Sequence, residues 1–452
     1  MIATVDSNIT TQTERGKNAL SMRTYLLAII GLCAASVASA QAGDFAISGA
    51  TVFTGNGQRI ENATVVVKNG KIDSVSSNAA PAGLTVIDAK GKTLYPGFID
   101  AYSTRLTKTA PDPKVEGKPD LNVTAPPYMW IGNRKGVFSD FGAADNLEFE
   151  KDQSAWENGI TTALLVPNKG CIRGTSAVVN LLPSTEKSRV LDNAYGYGLS
   201  FRNGSGEGYP SNILGVVALL RQVLADAKSL AEGSELAKPN EKPTWLKSLQ
   251  DLQPLVTGKK PGIFEVNMDR EIDRSIQIGQ EFGFPIIVAG GRDAYKMTAT
   301  LKSKNIPVLY ALDNLIEPSV EADKATVPIA DQTPLEYKKE RHDRWEEQMG
   351  GLVSLSKSGV RFAFSSGGTI GSYLENVRKF VKYGLGKDAA LKAMSADAAE
   401  ILGVKDQMGT IEVGKQANLV LMSGEFTEDT SKVERVWVTG KPVLEPKKEV
   451  SK

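Results

Sequence analysis

Side chains that readily do chemistry at neutral pH are scarce in this chain: its 452 residues include one histidine, His342, and two cysteines, Cys33 and Cys171. A metal site built from two or more imidazoles is therefore excluded. Cys171 stands in Gly170-Cys171-Ile172-Arg173-Gly174-Thr175-Ser176, where Arg173 could lower the thiol pKa. A cysteine nucleophile also wants a general base. His342 lies in the charged run Glu340-Arg341-His342-Asp343-Arg344-Trp345 and is expected on a solvated helix face, so Cys171 reads as an inert thiol in a turn. Ser365-Ser366-Gly367-Gly368 could form a backbone anion nest or simply end a strand.

These residues need a scaffold, and the pattern supplies one. Residues 45–95 read as short strands, with Asn69-Gly70 as a hairpin turn, and the same texture returns in Asn418 to Met422 and Val433 to Thr439. Two β-rich ends around one body predict that the termini meet in a small β-sandwich. In between, the apolar runs Thr161 to Val166, Ile263 to Val266, Pro285 to Val288, Pro307 to Tyr310 and Arg361 to Phe364 alternate with helical stretches, as a parallel α/β array requires. One helix is expected over Asn212 to Ala227 with Leu214, Val217, Ala218 and Val223 as its apolar positions, another over Tyr373 to Tyr383. The fold class is α/β, a distorted TIM-type (β/α)8 barrel. Its divisions are 41–95 and 409–452 for the sandwich and 96–408 for the barrel. Residues 105–150, rich in proline around Tyr128-Met129-Trp130, read as a surface loop or a lid over the barrel mouth.

Lys and Arg total 53 against 52 Asp and Glu, so no whole-chain field favours nucleic acid or an anionic membrane. The apolar run Leu26 to Leu32 after Met22-Arg23, closing on Ala38-Ser39-Ala40, reads as a secretory signal with its start at Met22 and cleavage near Ala40. That predicts a periplasmic protein with no membrane span once the leader is removed.

Leu94-Tyr95-Pro96-Gly97-Phe98-Ile99-Asp100-Ala101 resembles the first barrel strand of the amidohydrolase superfamily, in its imidazolonepropionase-like branch. The likeness continues through Gly159-Ile160-Thr161-Thr162, Gly208-Tyr209-Pro210, Gly215 to Gln222 and Tyr383-Gly384-Leu385 to Gly409 through Val420. The resemblance implies hydrolysis of amide-like C–N bonds by metal-bound hydroxide, usually on zinc. It also implies ligands at strand ends, and here those positions hold other residues. Tyr102 and Thr104 stand for His-x-His, Glu265 with Asn267 two residues on for the fifth-strand His, Gly290 for the sixth-strand His and Ser366 for the eighth-strand Asp. The expectation is a lost metal centre, with no cofactor, and a non-catalytic role in binding or as partner of an intact paralogue or of a second copy. Two alternatives stay open: an active C–N hydrolase with an altered or metal-free site, and a small-molecule scavenger using the old pocket.

Overall fold

The computed structural model describes residues 43–111, 136–148, 153–183, 186, 189–202, 210, 212–233, 244–313, 315–323 and 331–446. The leader ending near Ala40, Gly208-Tyr209 and Tyr128-Met129-Trp130 lie outside the described residues. No helix among the described residues is long and apolar enough to cross a membrane.

The chain opens with β1 (Phe45–Phe53), β2 (Arg59–Lys68), β3 (Lys71–Ser76), β4 (Thr85–Asp88) and β5 (Thr93–Pro96). Asn69 and Gly70 join β2 to β3 with positive φ at both positions, 51° and 73°, the geometry a two-residue turn needs to follow the strand twist. The body carries β6 (Phe98–Ser103), β7 (Ile160–Leu165), β8 (Ile172–Thr175), β9 (Ala177–Asn180), β10 (Val190–Asp192), β11 (Tyr197–Ser200), β12 (Gly262–Val266), β13 (Ile286–Gly290), β14 (Val308–Ala311) and β15 (Phe362–Ser365). The chain ends in β16 (Leu419–Met422), β17 (Val433–Val438) and β18 (Lys441–Leu444). The two ends meet: β16 pairs antiparallel with β5, and all eight terminal strands share one sheet. Ile47, Val65, Leu94, Leu419 and Trp437 fill one apolar cluster across that sheet.

In the body, β6 pairs parallel with β7, and β11 through β15 form a second parallel run. The parallel array expected from the sequence is interrupted between them. Only six residues separate β7 from β8, too few for the dozen or so a parallel crossover needs, so the chain doubles back. It then bends at Ser176, with β8 antiparallel to β11 and β9 antiparallel to β7. The ring closes where the Ser366 N–H beyond β15 donates to Asp100 Oδ1 on β6 at 2.8 Å and Tyr373 Oη donates to the Ile99 carbonyl at 3.1 Å. This is an α/β arrangement of the TIM-barrel type.

Strand alternation sorts the side chains. Ile99, Ala101, Leu164, Ile263, Ile287, Ala289, Leu309 and Ala363 form one interior cluster, floored by Ala398, Ile401 and Leu402 of the helix Ala396–Ile401 and the residues after it. Phe264 and Phe364 face the helical layer instead. The helix Ile213–Ala231 starts with Asn212 Oδ1 accepting the Gly215 N–H at 2.9 Å. It buries Val216, Leu219, Leu220, Val223, Leu224 and Ala227, whereas Leu214, an expected apolar position, is 77% exposed. A run so rich in aliphatics fits two i, i+3, i+4 registers, and packing selected the other one.

Candidate functional site

Counting by two along β12 from buried Ile263 brings Glu265 to the interior face, above the apolar layer and beside Ser200 of β11 and Ala289 of β13. In a barrel of this type, function sits at the C-terminal ends of the strands. There the structure places a cavity of about 290 Å³ bordered by Tyr102, Thr104, Glu265, Asn267 and Gly290, five of the six positions singled out in the sequence. Ser366 does not border it. Its hydroxyl is buried and its N–H is used by Asp100, so the Ser365-to-Gly368 turn offers no anion nest through that group.

Tyr102 reaches the interior through an irregularity. The β6–β7 register slips between Asp100 and Ser103, and Tyr102 joins the same interior cluster as Ala101. Its hydroxyl donates to Glu265 Oε2 at 2.8 Å. Burial drives the phenol pKa far upward, so it stays a donor.

Arg173 is the residue that sequence reasoning misplaced. Expected in a turn, it lies on β8, and the reversal of the chain after β7 aims it at the ring's centre. Gly198, its neighbour on β11, leaves room: a Cβ there would lie 2.5 Å from Val166 and 3.1 Å from the Arg173 Cβ. The guanidinium is 4% exposed; Nη1 donates to Glu265 Oε2 at 2.5 Å and to Tyr102 Oη at 2.9 Å, and Nε to the Gly170 carbonyl at 3.3 Å. Burial opposes its charge, but Tyr102 and Glu265 outweigh that and hold its pKa above the ordinary value. Burial likewise pushes the Glu265 carboxyl up, and Arg173, Tyr102 and Arg202 more than reverse it, leaving it below the usual carboxylate range. Arg202 completes the group at 3.3 Å from Glu265 Oε1. Across the cavity Arg292 pairs with Asp313 at 3.0 Å. Arg202, Arg292 and Asp313 gave no signal in the sequence, because loops and strand ends bring them in from separate segments.

Zinc takes imidazole, thiolate and carboxylate ligands, and the donors here do not fit it. Both Glu265 oxygens are engaged by arginines. Tyr102, Thr104 and Asn267 offer a phenol, a hydroxyl and a carboxamide. Gly290 has φ +96°, and a Cβ on it would lie 2.7 Å from Asn267 Oδ1 and 2.8 Å from the Val266 carbonyl, so no side chain fits that ligand position. The Cys171 Sγ donates to the Gly136 carbonyl at 3.3 Å, and burial pushes its thiol up to about 12. His342, on the helix Leu335–Ser358, hydrogen-bonds to Glu317 at 3.2 Å and its ring lies 5.8 Å from that of Trp345, outside the cavity lining. With Asp343 and Glu346 it forms a surface cluster of potential ligands, none of which borders the cavity.

Residues 289–443 match the amidohydrolase family. A stretch of 66 residues is 42% identical to the N-acyl-D-aspartate deacylase of Alcaligenes xylosoxydans xylosoxydans, covering 15% of this chain and 13% of that protein. Another of 87 residues is 33% identical to the N-acetylglucosamine-6-phosphate deacetylase of Vibrio furnissii, covering 18% and 20%. The matched parts thus span a fifth or less of either relative. Among solved structures, an amidohydrolase from Thermotoga maritima MSB8 aligns with 89% of this chain and 100% of its own at 24% identity and a TM-score of 0.68, a likeness of fold. The family match thus takes in about a third of the chain, residues 289–443, while the likeness to the Thermotoga maritima amidohydrolase is one of fold over most of its length.

Proposed function

We propose that this protein is a non-catalytic member of the amidohydrolase family, a binding protein in which an internal salt network occupies the place of the metal centre. One observation carries the reading: the buried Arg173 guanidinium bonds both Tyr102 and Glu265, so the charge that a metal would supply there is already provided by a side chain. A guanidinium cannot lower the pKa of a bound water as a Lewis acid does, and three of its five N–H protons are committed to the network. Fold and activity are separable, because the barrel stands on its layered core while activity depends on strand-end residues. The same reading takes the ring as a distorted (β/α)8 barrel of the imidazolonepropionase-like branch and the terminal strands as a sandwich. It also takes the apolar run at residues 26–32 as the signal of a secreted, periplasmic protein, with an intact paralogue or a second copy as possible partner.

Metal analysis of protein purified without chelator tests the central point. The expected outcome is far less than one zinc per chain, with a melting temperature that neither chelator nor added zinc moves. Where a structural or catalytic zinc is bound, its binding energy is part of the folding energy. One tightly held zinc per chain, whose removal abolishes hydrolysis of an N-acyl amino acid, would refute the reading and favour an active hydrolase.

A further inference from the structure

We infer that the cavity binds a small organic monoanion, a carboxylate held by Arg202; this rests on the non-catalytic reading and names the ligand class it leaves open. Three guanidinium groups, Arg173, Arg202 and Arg292, and two carboxylates, Glu265 and Asp313, border the space. Arg292 is matched by Asp313. Glu265 alone answers both Arg173 and Arg202, at 2.5 Å and 3.3 Å. Among the described residues, one positive charge is left over.

The surplus belongs to Arg202. Arg173 is buried, with three donor contacts of its own. Arg202 is 70% exposed and, among the described residues, has the longer Glu265 contact as its ion pair. The planar fork of its guanidinium suits a carboxylate's two oxygens. Asn168, Asn267 and Thr104 add polar groups to the wall, and about 290 Å³ sits at the small end of ligand sites of about 300–1,000 Å³, which limits the guest to metabolite size. A cation would meet the surplus charge unfavourably, a neutral guest would leave it unanswered, and a dianion would overshoot it.

Titration calorimetry on the full, metal-free chain at neutral pH tests this with three probes: N-acetylglycine, its uncharged twin N-acetylglycinamide, and inorganic phosphate. The expected result is saturable binding of one N-acetylglycine per chain, at least about tenfold tighter than either other probe. Arg202→Gln should weaken it at least about tenfold and Arg202→Lys should retain part, while Arg344→Gln, on the outer helix Leu335–Ser358, leaves it unchanged. Equal affinity for the amide, tighter phosphate binding, no heat with any probe, or an Arg202→Gln variant that binds like the parent each overturns the inference. The recovered ligand separates the two readings. If bound N-acetylglycine is hydrolysed, the non-catalytic reading fails and the carboxylate site stands; if it is recovered intact but the amide binds equally, the reverse holds.

Discussion

Asp100 shows how one residue can be recognised in a sequence while its energetics stay hidden. Its place in the first barrel strand was legible, but its surroundings were not. It is fully buried, accepts N–H groups from Ser366 at 2.8 Å and Tyr102 at 3.4 Å, and its other oxygen has no hydrogen-bond partner among the described residues. Burial raises its pKa to about 6, against the opposing hydrogen bonds of Ser366 and Tyr102. The native state therefore keeps its proton to higher pH than the unfolded chain does, and this carboxyl lowers stability as pH rises from about 4 through about 6. Asp100→Asn keeps an acceptor for both N–H groups and removes the charge. Urea unfolding should find the variant more stable than the parent by on the order of 1–3 kcal/mol at pH 7.5, with the gap closing to within about 1 kcal/mol near pH 4. A variant that is less stable at pH 7.5 would mean the site favours the carboxylate.

Among the elements, two short connections decide what the site can be. The link from β7 to β8 turned the chain back and delivered Arg173 to the centre. Periodicity gave β7 and β12 through β15 to within a residue or two, as at Ile286–Gly290, but missed β11 (Tyr197–Ser200); it also carries no information on strand direction, and so Arg173 read as a turn residue. The other connection is the end of β13. The glycine at 290 was visible in the sequence; that its backbone and neighbours exclude any side chain was not, since φ is a property of the folded turn. Gly290→Ala should cost about 1–3 kcal/mol in thermal denaturation, and adding Asn267→Gly should recover only part, because the Val266 carbonyl contact at 2.8 Å stays. A neutral Gly290→Ala would show that the turn can yield and that a ligand could be rebuilt there.

For the whole molecule, the question is how two ends more than 300 residues apart support one ring. Their β texture was legible because alternation and the Asn69-Gly70 turn are local signals; which strand pairs with which was not, since β5 meets β16 across the entire barrel. Asn418 joins the layers, donating from Nδ2 to Thr162 Oγ1 at 3.2 Å and Asn180 Oδ1 at 3.0 Å, and accepting the Thr439 N–H at 2.8 Å. Beyond it Leu419, Val420, Leu421 and Met422 are fully buried and Trp437 is 2% exposed. Each such side chain contributes about 1.5–3 kcal/mol, and together they rival the about 5–15 kcal/mol that holds a whole domain folded. A chain ending at residue 415 would also leave β5 as an open edge. It should give no cooperative melt and little soluble protein, and co-expression of residues 416–446 should restore both if the sheet can reassemble from two pieces. A truncated protein that melts cooperatively within a few degrees of the parent would show instead that the barrel stands without its terminal strands, and that the joined sheet serves something other than stability.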